Sequence, residues 1–269
     1  MVKVYAGTEM EYYMDGILFQ NLTLSKEKNK DDWDFVWVVD GVERGGKSVF
    51  AQQIAKVVDE GFCIDRIVFT PKQFEDAVKK AEPNTAIVYD EGFGGLSARA
   101  SMSMINMSLV KMLTEIGFKN LFIIICLPSF FDLDRYVALW RSRALFHIYT
   151  GDNMSRGFFK AYNYEAKKFL YLVGKKLYDY KVANPNFYGR FTKRWVVDKD
   201  LYNKKKREAV LSVEKSKAFG DRLSYDDWFN IFFRRVVDVD IVDRDKISLL
   251  GISRATYYNK LRLLKNESV

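Results

Sequence analysis

Residues 41–48 carry the side chains with the clearest chemical potential in this chain. They spell a glycine, four further residues and then Gly-Lys-Ser, which is the P-loop (Walker A) pattern. Glycines let the backbone turn tightly enough for its N–H groups to point at phosphate oxygens, and a following helix N-terminus adds a partial positive charge. Lys47 would reach the β- and γ-phosphates of ATP, and the Ser48 hydroxyl would bind Mg²⁺. The predicted nucleotide contacts are Gly41, Val42, Glu43, Arg44, Gly45, Gly46, Lys47, Ser48 and Val49.

The residues on either side of this segment have the periodicity that a phosphate-binding loop requires. The apolar run 35–39 predicts a buried strand that enters the loop, and residues 49–58 have apolar side chains at helical spacing. A glycine-rich turn that happens to precede a helix is the alternative. Because strand and helix are predicted on the correct sides, the sequence favours a nucleotide-binding protein.

Two carboxylates form the second candidate group. The apolar run 86–89 predicts a strand that ends in Asp90 and Glu91. An acidic residue at the carboxyl end of a strand beside the P-loop can hold Mg²⁺ together with Ser48, and the adjacent glutamate can orient or deprotonate the attacking water. A strand predicted at 64–69, between the two motifs, indicates the NTPase subclass with an extra strand between the P-loop strand and the acidic strand. The alternative for Glu91 is a solvated loop carboxylate.

Alternating strands and helices around both motifs predict a three-layer α/β core with a parallel sheet. The predicted parts are an N-terminal ribbon and linker at 1–33, the core at 34–174, a basic connector or arm at 175–222 and a small all-α module at 223–269. Strands are predicted at 2–5, 17–22, 64–69, 86–91, 121–127 and 144–149, helices at 72–81, 97–116 and 132–141, and a hairpin at 158–162 and 169–173.

Positive charge is concentrated in the last third of the chain. Residues 1–174 contain 21 Lys and Arg and 22 Asp and Glu, a net charge of −1, whereas residues 175–269 contain 22 and 13, a net charge of +9. Residues 175–207 alone contain 11 basic and 3 acidic residues, a net charge of +8, with aromatic residues interleaved. A near-neutral core followed by such a segment is typical of a protein that binds a polyanion, most simply nucleic acid. A solvated basic surface and an arm that packs on a neighbouring subunit are the alternatives.

The C-terminal residues predict a helix-turn-helix. Residues 225–237 and 244–250 have helical patterns, and a tight turn with Ser253 as N-cap precedes a helix at 254–264. Residues 250–258 resemble the turn and the start of the recognition helix in resolvases and transcriptional activators. The resemblance implies a helix that enters a DNA major groove. A helix-turn-helix that serves only protein contacts is the alternative. The predicted DNA contacts are Arg254, Thr256, Tyr257, Asn259 and Arg262.

The motifs at 41–48 and 86–91, together with the run 121–149, resemble the FtsK/HerA-like and zonular-occludens-toxin-like P-loop ATPases of viruses, plasmids and integrated elements. The resemblance covers residues 34–150. It implies a RecA/FtsK-like fold and an oligomeric ring, often hexameric, that moves or remodels DNA with ATP hydrolysed at subunit interfaces.

The same resemblance implies two further functional residues. A polar sensor of the γ-phosphate is expected after the strand at 121–127, where Ser129 is the candidate. An arginine is expected to act from a neighbouring subunit, and Arg141 or Arg143 is favoured. A surface salt bridge is the alternative for each arginine.

Other chemistries have little support in the sequence. Cys63 and Cys126 lie in apolar runs and are expected to be small buried hydrophobes and not a disulfide framework. His147 is the only histidine and is expected to be a satisfied strand residue, so zinc and Ser-His-Asp chemistry are not favoured. The N-terminus has no signal-peptide pattern, and the longest apolar run, 121–127, is too short to span a bilayer. A soluble, cytoplasmic protein is expected, in the host cytoplasm if the source is viral.

These expectations combine into one functional hypothesis with two alternatives. The leading hypothesis is a DNA-directed ATPase that binds Mg²⁺ and ATP and translocates, packages or remodels double-stranded DNA as a homo-oligomeric ring for a virus or mobile element. The first alternative is an ATP-switched DNA-binding regulator or assembly factor without motor activity, against which Glu91 argues. The second is a morphogenesis or export ATPase, against which the helix-turn-helix argues.

Overall fold

The computed structural model describes residues 1–90, 106–107, 109–113, 119–222, 229, 232–233, 236–237, 239 and 242–266, with the backbone alone for 213–222 and 263–266. The chain divides into two compact units, Met1–Val210 and Leu211–Val269. No helix in these described ranges is long and apolar enough to cross a membrane.

Strands of the first unit form a short ribbon and one large sheet. The strands are β1 (Val2–Val4), β2 (Tyr12–Met14), β3 (Phe35–Gly41), β4 (Ile67–Val68), β5 (Ala86–Asp90), β6 (Phe122–Cys126), β7 (Ala144–Tyr149), β8 (Phe158–Tyr162) and β9 (Phe187–Arg190). β1 and β2 pair as an antiparallel ribbon, and the other seven form one sheet in the order β4-β5-β6-β3-β7-β8-β9. β4, β5, β6, β3 and β7 are parallel, whereas β8 and β9 extend the sheet in antiparallel fashion.

Helices cover both faces of this sheet. The helices are α1 (Gly16–Asn29), α2 (Lys47–Val58), α3 (Pro71–Lys80), α4 (Tyr164–Gly174) and α5 (Lys199–Arg222), together with a π-helical segment, Val137–Arg141. Because side chains alternate along a strand, Trp37 and Val39 pack in a cluster with α1 and α2, while Val36 and Val38 pack with α3 and α4. The predicted α/β class with a mostly parallel sheet is confirmed, and helices on both faces are compatible with three layers.

One extra strand separates the two strands that carry the sequence motifs. β6 lies between β3, which leads into residues 41–48, and β5, which ends in Asp90. The sequence predicted such a strand but inferred it from residues 64–69. That region forms only the two-residue β4 at the sheet edge, and the separating strand comes later in the chain. Since β3, β5 and β6 are parallel, their carboxyl ends meet at one edge of the sheet.

The N-terminal prediction was wrong in part. Residues 17–22 were expected to be a strand and 25–32 a polar linker, but α1 spans Gly16–Asn29 and is capped by Asp15, whose side chain accepts a hydrogen bond from the Leu18 N–H. Leu18 and Leu22, four residues apart, both enter the core. This helical spacing was masked because Ile17 and Leu24 place apolar side chains on the exposed side of the helix as well.

The predicted hairpin after β8 was also wrong. Residues 169–173 belong to α4, which Asn163 caps by accepting a hydrogen bond from the Ala166 N–H. The antiparallel partner of β8 is instead β9, which lies in the predicted basic connector. The first unit therefore continues to Val210, well past the expected boundary at 174, and the connector supplies both a sheet strand and the start of the 24-residue helix α5.

Two other predicted helices differ in form or extent. The helix predicted at 132–141 occurs as a 3₁₀ turn, Phe130–Asp132, followed by the π-helical segment. Of the helix predicted at 97–116, residues 106–107 and 109–113 are helical, and the remainder lies outside the described residues.

The second unit contains the predicted glycine turn between two helices. α6 (Asp243–Leu250) ends at Gly251, which has a φ of 62°, and α7 (Arg254–Asn266) follows. The Thr256 N–H donates to the Ser253 hydroxyl at 3.1 Å, which is the predicted N-cap. Much of the helix predicted at 225–237 lies outside the described residues. Phe233 and Val236 from that stretch pack with Leu250 and Tyr257 in a small hydrophobic cluster.

Candidate functional site

Residues 41–48 adopt a backbone path that requires glycine. Gly41 has a φ of 126°, and a Cβ placed there would lie 2.0 Å from the Ile148 carbonyl oxygen on β7. Gly46 has a φ of 110°, and a Cβ there would meet the Phe191 ring at 3.1 Å. Both φ values are in the region that side chains disfavour. The glycines of the motif therefore have the local role that the sequence predicts.

The N-terminus of α2 faces the carboxyl edge of the sheet. Gly46 is its N-cap and offers no side chain to bind the first N–H groups of the helix. The backbone N–H groups of Lys47, Ser48 and Val49 lack intrahelical acceptors as well, because they lie in the first turn. These N–H groups and the helix dipole favour an anion. The Lys47 ammonium donates to the carbonyl oxygens of Gly41 (2.6 Å) and Val42 (3.0 Å). Burial lowers the pKa of Lys47, and nearby acidic groups, among them Asp90, partly oppose this shift.

Asp90 is almost fully buried at the end of β5. Its Oδ2 atom accepts a hydrogen bond from the Tyr202 hydroxyl at 2.6 Å, and its Oδ1 atom lies 3.7 Å from the Lys206 ammonium. Burial and the Asp90 carboxylate raise the pKa of Tyr202, while the nearby Ser48 side chain, which interacts with the same hydroxyl, partly opposes the shift. The two predicted metal ligands, Ser48 and Asp90, line the same cavity as Tyr202.

A cavity of about 660 Å³ contains these groups. Its walls come from the α2 N-terminus, from the ends of β5 and β6, and from a later stretch of chain between 191 and 206. The lining residues are Glu43, Arg44, Gly45, Gly46, Lys47, Ser48, Val49, Asp90, Cys126, Leu127, Pro128, Arg156, Gly157, Phe191, Lys193, Trp195, Lys199, Tyr202, Asn203 and Lys206. Six of these side chains are basic and two are acidic, a net charge of +4. Gly41 and Val42 do not line it and instead bind Lys47 through their carbonyls.

Sequence reasoning missed one wall of this cavity. Lys193, Lys199 and Lys206 belong to the basic connector, which was expected to meet DNA or a neighbouring subunit, yet all three line the cavity beside residues 43–49. Trp195 packs against Tyr202 with ring centroids 4.9 Å apart. The charge excess in this stretch was the available signal, but its position in space depends on β9 joining the sheet, which the sequence did not predict.

The side chains present fit a magnesium nucleotide. Among the described residues no group of three or more His, Cys, Asp or Glu side chains could hold a metal ion. Ser48 and Asp90 are two oxygen ligands, and Mg²⁺ commonly takes one or two protein oxygens with water and phosphate oxygens completing its shell. The glycine cradle, the uncapped helix N-terminus and the net positive charge suit the phosphates.

Ser129 lies just beyond the cavity wall formed by Leu127 and Pro128. Its hydroxyl oxygen accepts a hydrogen bond from the Phe131 N–H (3.3 Å) and lies 3.5 Å from the Tyr180 hydroxyl. Its role as a phosphate sensor remains a prediction. Glu91, predicted to orient the attacking water, lies outside the described residues.

Arg141 and Arg143 lie at the opposite edge of the sheet from residues 41–48. The Arg141 guanidinium forms an ion pair with Asp34, and its Nε donates to the Leu113 carbonyl at 2.7 Å. The Arg143 Nε donates to the Asp34 carbonyl at 2.8 Å, and its guanidinium lies 4.5 Å from the centre of the Trp33 ring. The chain does not bring either arginine to its own cavity, and action from a neighbouring subunit remains a prediction.

His147 lies on β7 and pairs with Asp40 on β3, so it is the satisfied strand residue that the sequence predicts. Its Nδ1 lies 2.9 Å from Asp40 Oδ1, and its ring stacks on Tyr180 with centroids 3.9 Å apart. Asp40 is fully buried and also accepts hydrogen bonds from the Phe130 N–H and the Tyr180 hydroxyl. This network fixes the end of β3 directly before Gly41. Cys126 is buried as predicted, but Cys63 is exposed, which corrects the expectation for that residue.

The predicted DNA contacts on α7 fall into two groups. Arg254, Thr256, Asn259 and Arg262 are exposed. Tyr257, by contrast, is buried in the hydrophobic cluster of its own unit and donates its hydroxyl to Asp243 at 3.1 Å. Its aromatic ring cannot reach a base edge in this arrangement, so that contact was wrongly predicted. The neighbouring Tyr258 is exposed and also donates to Asp243.

No protein-family model matches this chain, and a comparison with curated protein sequences gives no match. The candidate site is therefore supported by its own geometry.

Proposed function

We propose that the first unit binds a magnesium nucleoside triphosphate, most simply ATP, and hydrolyses it. The observation that supports this most directly is the uncapped N-terminus of α2, where Lys47, Ser48 and Asp90 converge on a cavity with a net charge of +4. Anions bind at such helix ends, and the paired hydroxyl and carboxylate supply hard oxygen ligands of the kind that Mg²⁺ prefers.

Each residue has a defined role in this proposal. The N–H groups at the start of α2 bind phosphate oxygens, and Lys47 exchanges its hydrogen bonds with the Gly41 and Val42 carbonyls for contacts with the phosphates. Ser48 and Asp90 hold Mg²⁺, which neutralises charge on the phosphates. Glu91 follows directly in the chain and is the proposed water-orienting base.

The second unit is proposed to bind double-stranded DNA. α7 presents Arg254, Asn259 and Arg262 as exposed side chains after a glycine turn, and such residues contact bases and phosphates in groove-binding helices. ATP hydrolysis and DNA binding in one chain favour a DNA-directed ATPase. An oligomeric ring that translocates, packages or remodels DNA is the form of this activity that we propose.

A second candidate function is an ATP-switched DNA-binding protein with slow turnover. The contacts that Tyr202 and Lys206 make with Asp90 favour it, because a metal ion must compete with them for the carboxylate. Hydrolysis that DNA does not stimulate would favour this candidate.

The test measures equilibrium ATP binding and ATP hydrolysis, each with and without double-stranded DNA. We expect binding and DNA-stimulated hydrolysis in the wild type, loss of binding in Lys47→Ala, and binding without turnover in Glu91→Gln. Lys72→Ala, at an exposed lysine of α3, is the matched control and should behave as the wild type. A wild-type protein that binds no nucleotide would overturn the proposal.

The DNA contribution is tested separately with Arg254→Ala combined with Arg262→Ala. This variant should lose DNA stimulation while it keeps the wild-type affinity for ATP. Unchanged DNA affinity would overturn the assignment of α7 as the DNA-binding element.

A further inference from the structure

The first turns of α5 carry two side chains to the predicted metal ligand. Tyr202 and Lys206 are four residues apart, so they lie on the same face of the helix. The Tyr202 hydroxyl donates to Asp90 Oδ2 from 112 residues away in the chain. The Lys206 ammonium lies 3.7 Å from Asp90 Oδ1 and 3.3 Å from the Tyr202 hydroxyl. α5 therefore brings a cation into the group formed by Ser48 and Asp90.

The contact between Lys206 and Asp90 is a loose one. A separation of 3.7 Å lets the two charges attract each other but is too long for a good hydrogen bond. The Lys206 side chain is 33% exposed, and its ammonium also lies near the Phe69 and Tyr202 rings, at 5.9 and 5.7 Å from their centres. A lysine has a flexible stem and three donors. Lys206 can therefore turn to a stronger anion without breaking a strong contact.

The charge on Asp90 decides where Lys206 points. When Asp90 ligates Mg²⁺, its attraction for the Lys206 ammonium falls, because the metal ion neutralises the carboxylate. A nucleotide bound at the N-terminus of α2 would then offer phosphate oxygens to Lys206, which lines the same cavity. The Tyr202 hydroxyl, which accepts a hydrogen bond from the Lys206 ammonium, limits how far the ammonium can move away.

We propose that Lys206 is a phosphate-contacting residue, supplied by α5 within the same chain, that binds the γ-phosphate of the nucleoside triphosphate and is positioned by Tyr202. The proposal rests on the proposed nucleotide function. It adds a second phosphate-binding cation to Lys47, in a chain whose Arg141 and Arg143 are both engaged with Asp34 at the other edge of the sheet.

The test measures equilibrium affinities for ATP and ADP in the presence of Mg²⁺, using a fluorescent nucleotide displaced by each, in wild type, Lys206→Ala, Lys206→Arg and Lys204→Ala. A hydrogen bond to a charged group predicts a loss of about tenfold or more in ATP affinity for Lys206→Ala, with a much smaller change for ADP. Lys206→Arg should restore most of the ATP affinity. Lys204→Ala, at an exposed position of the same helix, removes the same charge and should match the wild type.

The outcomes separate this proposal from the one on which it rests. Wild-type ATP binding that Lys47→Ala abolishes, together with wild-type affinity in Lys206→Ala, would overturn the role of Lys206 alone. An equal loss of affinity for ATP and ADP would also overturn it, because the contact would then not involve the γ-phosphate, which ADP lacks. Absence of ATP binding by the wild type would overturn the nucleotide function itself. Thermal unfolding of Lys206→Ala should match that of Lys204→Ala, since a partly exposed ion pair contributes little to stability.

Discussion

Two acidic side chains lie at opposite edges of the same sheet and are paired in different ways. Asp34, directly before β3, pairs with Arg141, and both side chains are largely buried, with 13% and 14% exposure. Asp90, at the end of β5, is more buried still, with 5% exposure, but its cation Lys206 is 33% exposed and stands 3.7 Å away. Arg141 also donates to the Leu113 carbonyl. At the Asp34 edge the donors are engaged by the protein itself, whereas at the Asp90 edge they face a cavity.

This difference separates an ion pair that supports the fold from one that can exchange partners. A buried pair is costly to break because the remaining charge is left without a partner. A loose pair beside a basic cavity can give up one contact for a ligand. The predictions below test that distinction, from the largest expected effect to the smallest.

Asp90→Asn should have the largest effect, and the effect should be on function. The amide can still accept the Tyr202 hydrogen bond, so the free energy of unfolding should change by less than about 1 kcal/mol. ATP turnover at fixed Mg²⁺ concentration should fall by about 100-fold or more, because a metal ligand is lost. Steady-state hydrolysis and urea unfolding measure the two quantities. Wild-type turnover in this variant would contradict the assignment of Asp90 as a metal ligand.

Asp34→Ala should show the opposite pattern. Removal of this carboxylate leaves the Arg141 guanidinium buried without its partner, and the free energy of unfolding should fall by about 3 kcal/mol. ATP affinity per folded molecule should stay the same within about twofold, because Asp34 lies at the opposite edge of the sheet from the cavity. A twofold change in affinity is under about 1 kcal/mol.

The predicted action of Arg141 from a neighbouring subunit gives this comparison a sharper form. Mixing Lys47→Ala with Arg141→Ala subunits would restore turnover if the arginine served a neighbour's site. Because Arg141 pairs with Asp34 in its own chain, we expect Arg141→Ala to keep its turnover per folded molecule and mixing to add nothing. Turnover that is lost in Arg141→Ala and regained on mixing would show that the amino edge of the sheet also carries function.

Tyr202→Phe should have a moderate effect on both properties. Asp90 loses a hydrogen bond, so the free energy of unfolding should fall by about 1–2 kcal/mol. If Mg²⁺ replaces the Tyr202 hydroxyl on the carboxylate, the metal-bound form has no such hydrogen bond to lose. The substitution then destabilises only the metal-free form, and a difference of about 1.4 kcal/mol would lower the Mg²⁺ concentration for half-maximal ATP binding about tenfold. A magnesium titration of nucleotide binding measures this shift, and a raised requirement would contradict competition between Tyr202 and the metal.

Lys167 lies away from both acidic side chains, and its effect should be a change in the pH dependence of stability and not a change in function. It is fully buried beside the π-helical segment, where its ammonium donates to the Ala138 and Leu139 carbonyls. Burial lowers the pKa of Lys167 to about 7, from 10.5. Between these two values the unfolded chain binds more protons than the folded one, so the contribution of Lys167 to stability rises as the pH rises.

Lys167→Met removes this titration. Compared with the variant, the wild type should gain stability between about pH 6 and about pH 9, as measured by urea unfolding at each pH. Parallel pH profiles for the two proteins would show that Lys167 keeps an ordinary pKa in the fold.

Features encoded by neighbouring residues were predictable from the sequence. The turn and cap at Gly251 and Ser253 depend on residues within one helical turn, and the glycines of residues 41–48 depend on the local path of the backbone. The burial of β3, β5 and β6 followed from their continuous apolar runs.

Features that depend on distant pairing were not predictable from the sequence. The wall formed by Lys193, Lys199 and Lys206 exists because β9 adds to β8, and local propensity cannot specify that partner. Tyr257 was predicted to meet DNA because it lies at the start of the helix expected to enter a major groove, but its ring is buried in the small core of the second unit. The missed helix α1 shows the same limit, because Leu18 and Leu22 are recognisable as one apolar face only against the core they cover.

The two outermost strands of the sheet, β4 and β9, have a consequence for how copies of this protein can associate. β4 has two residues and β9 has four, with a glycine among them. Unpaired strands invite pairing with another chain, and short edge strands offer few backbone groups for it. Among the described residues, the sheet therefore offers little for edge-to-edge pairing, which favours assembly of copies through side chains over one continuous sheet.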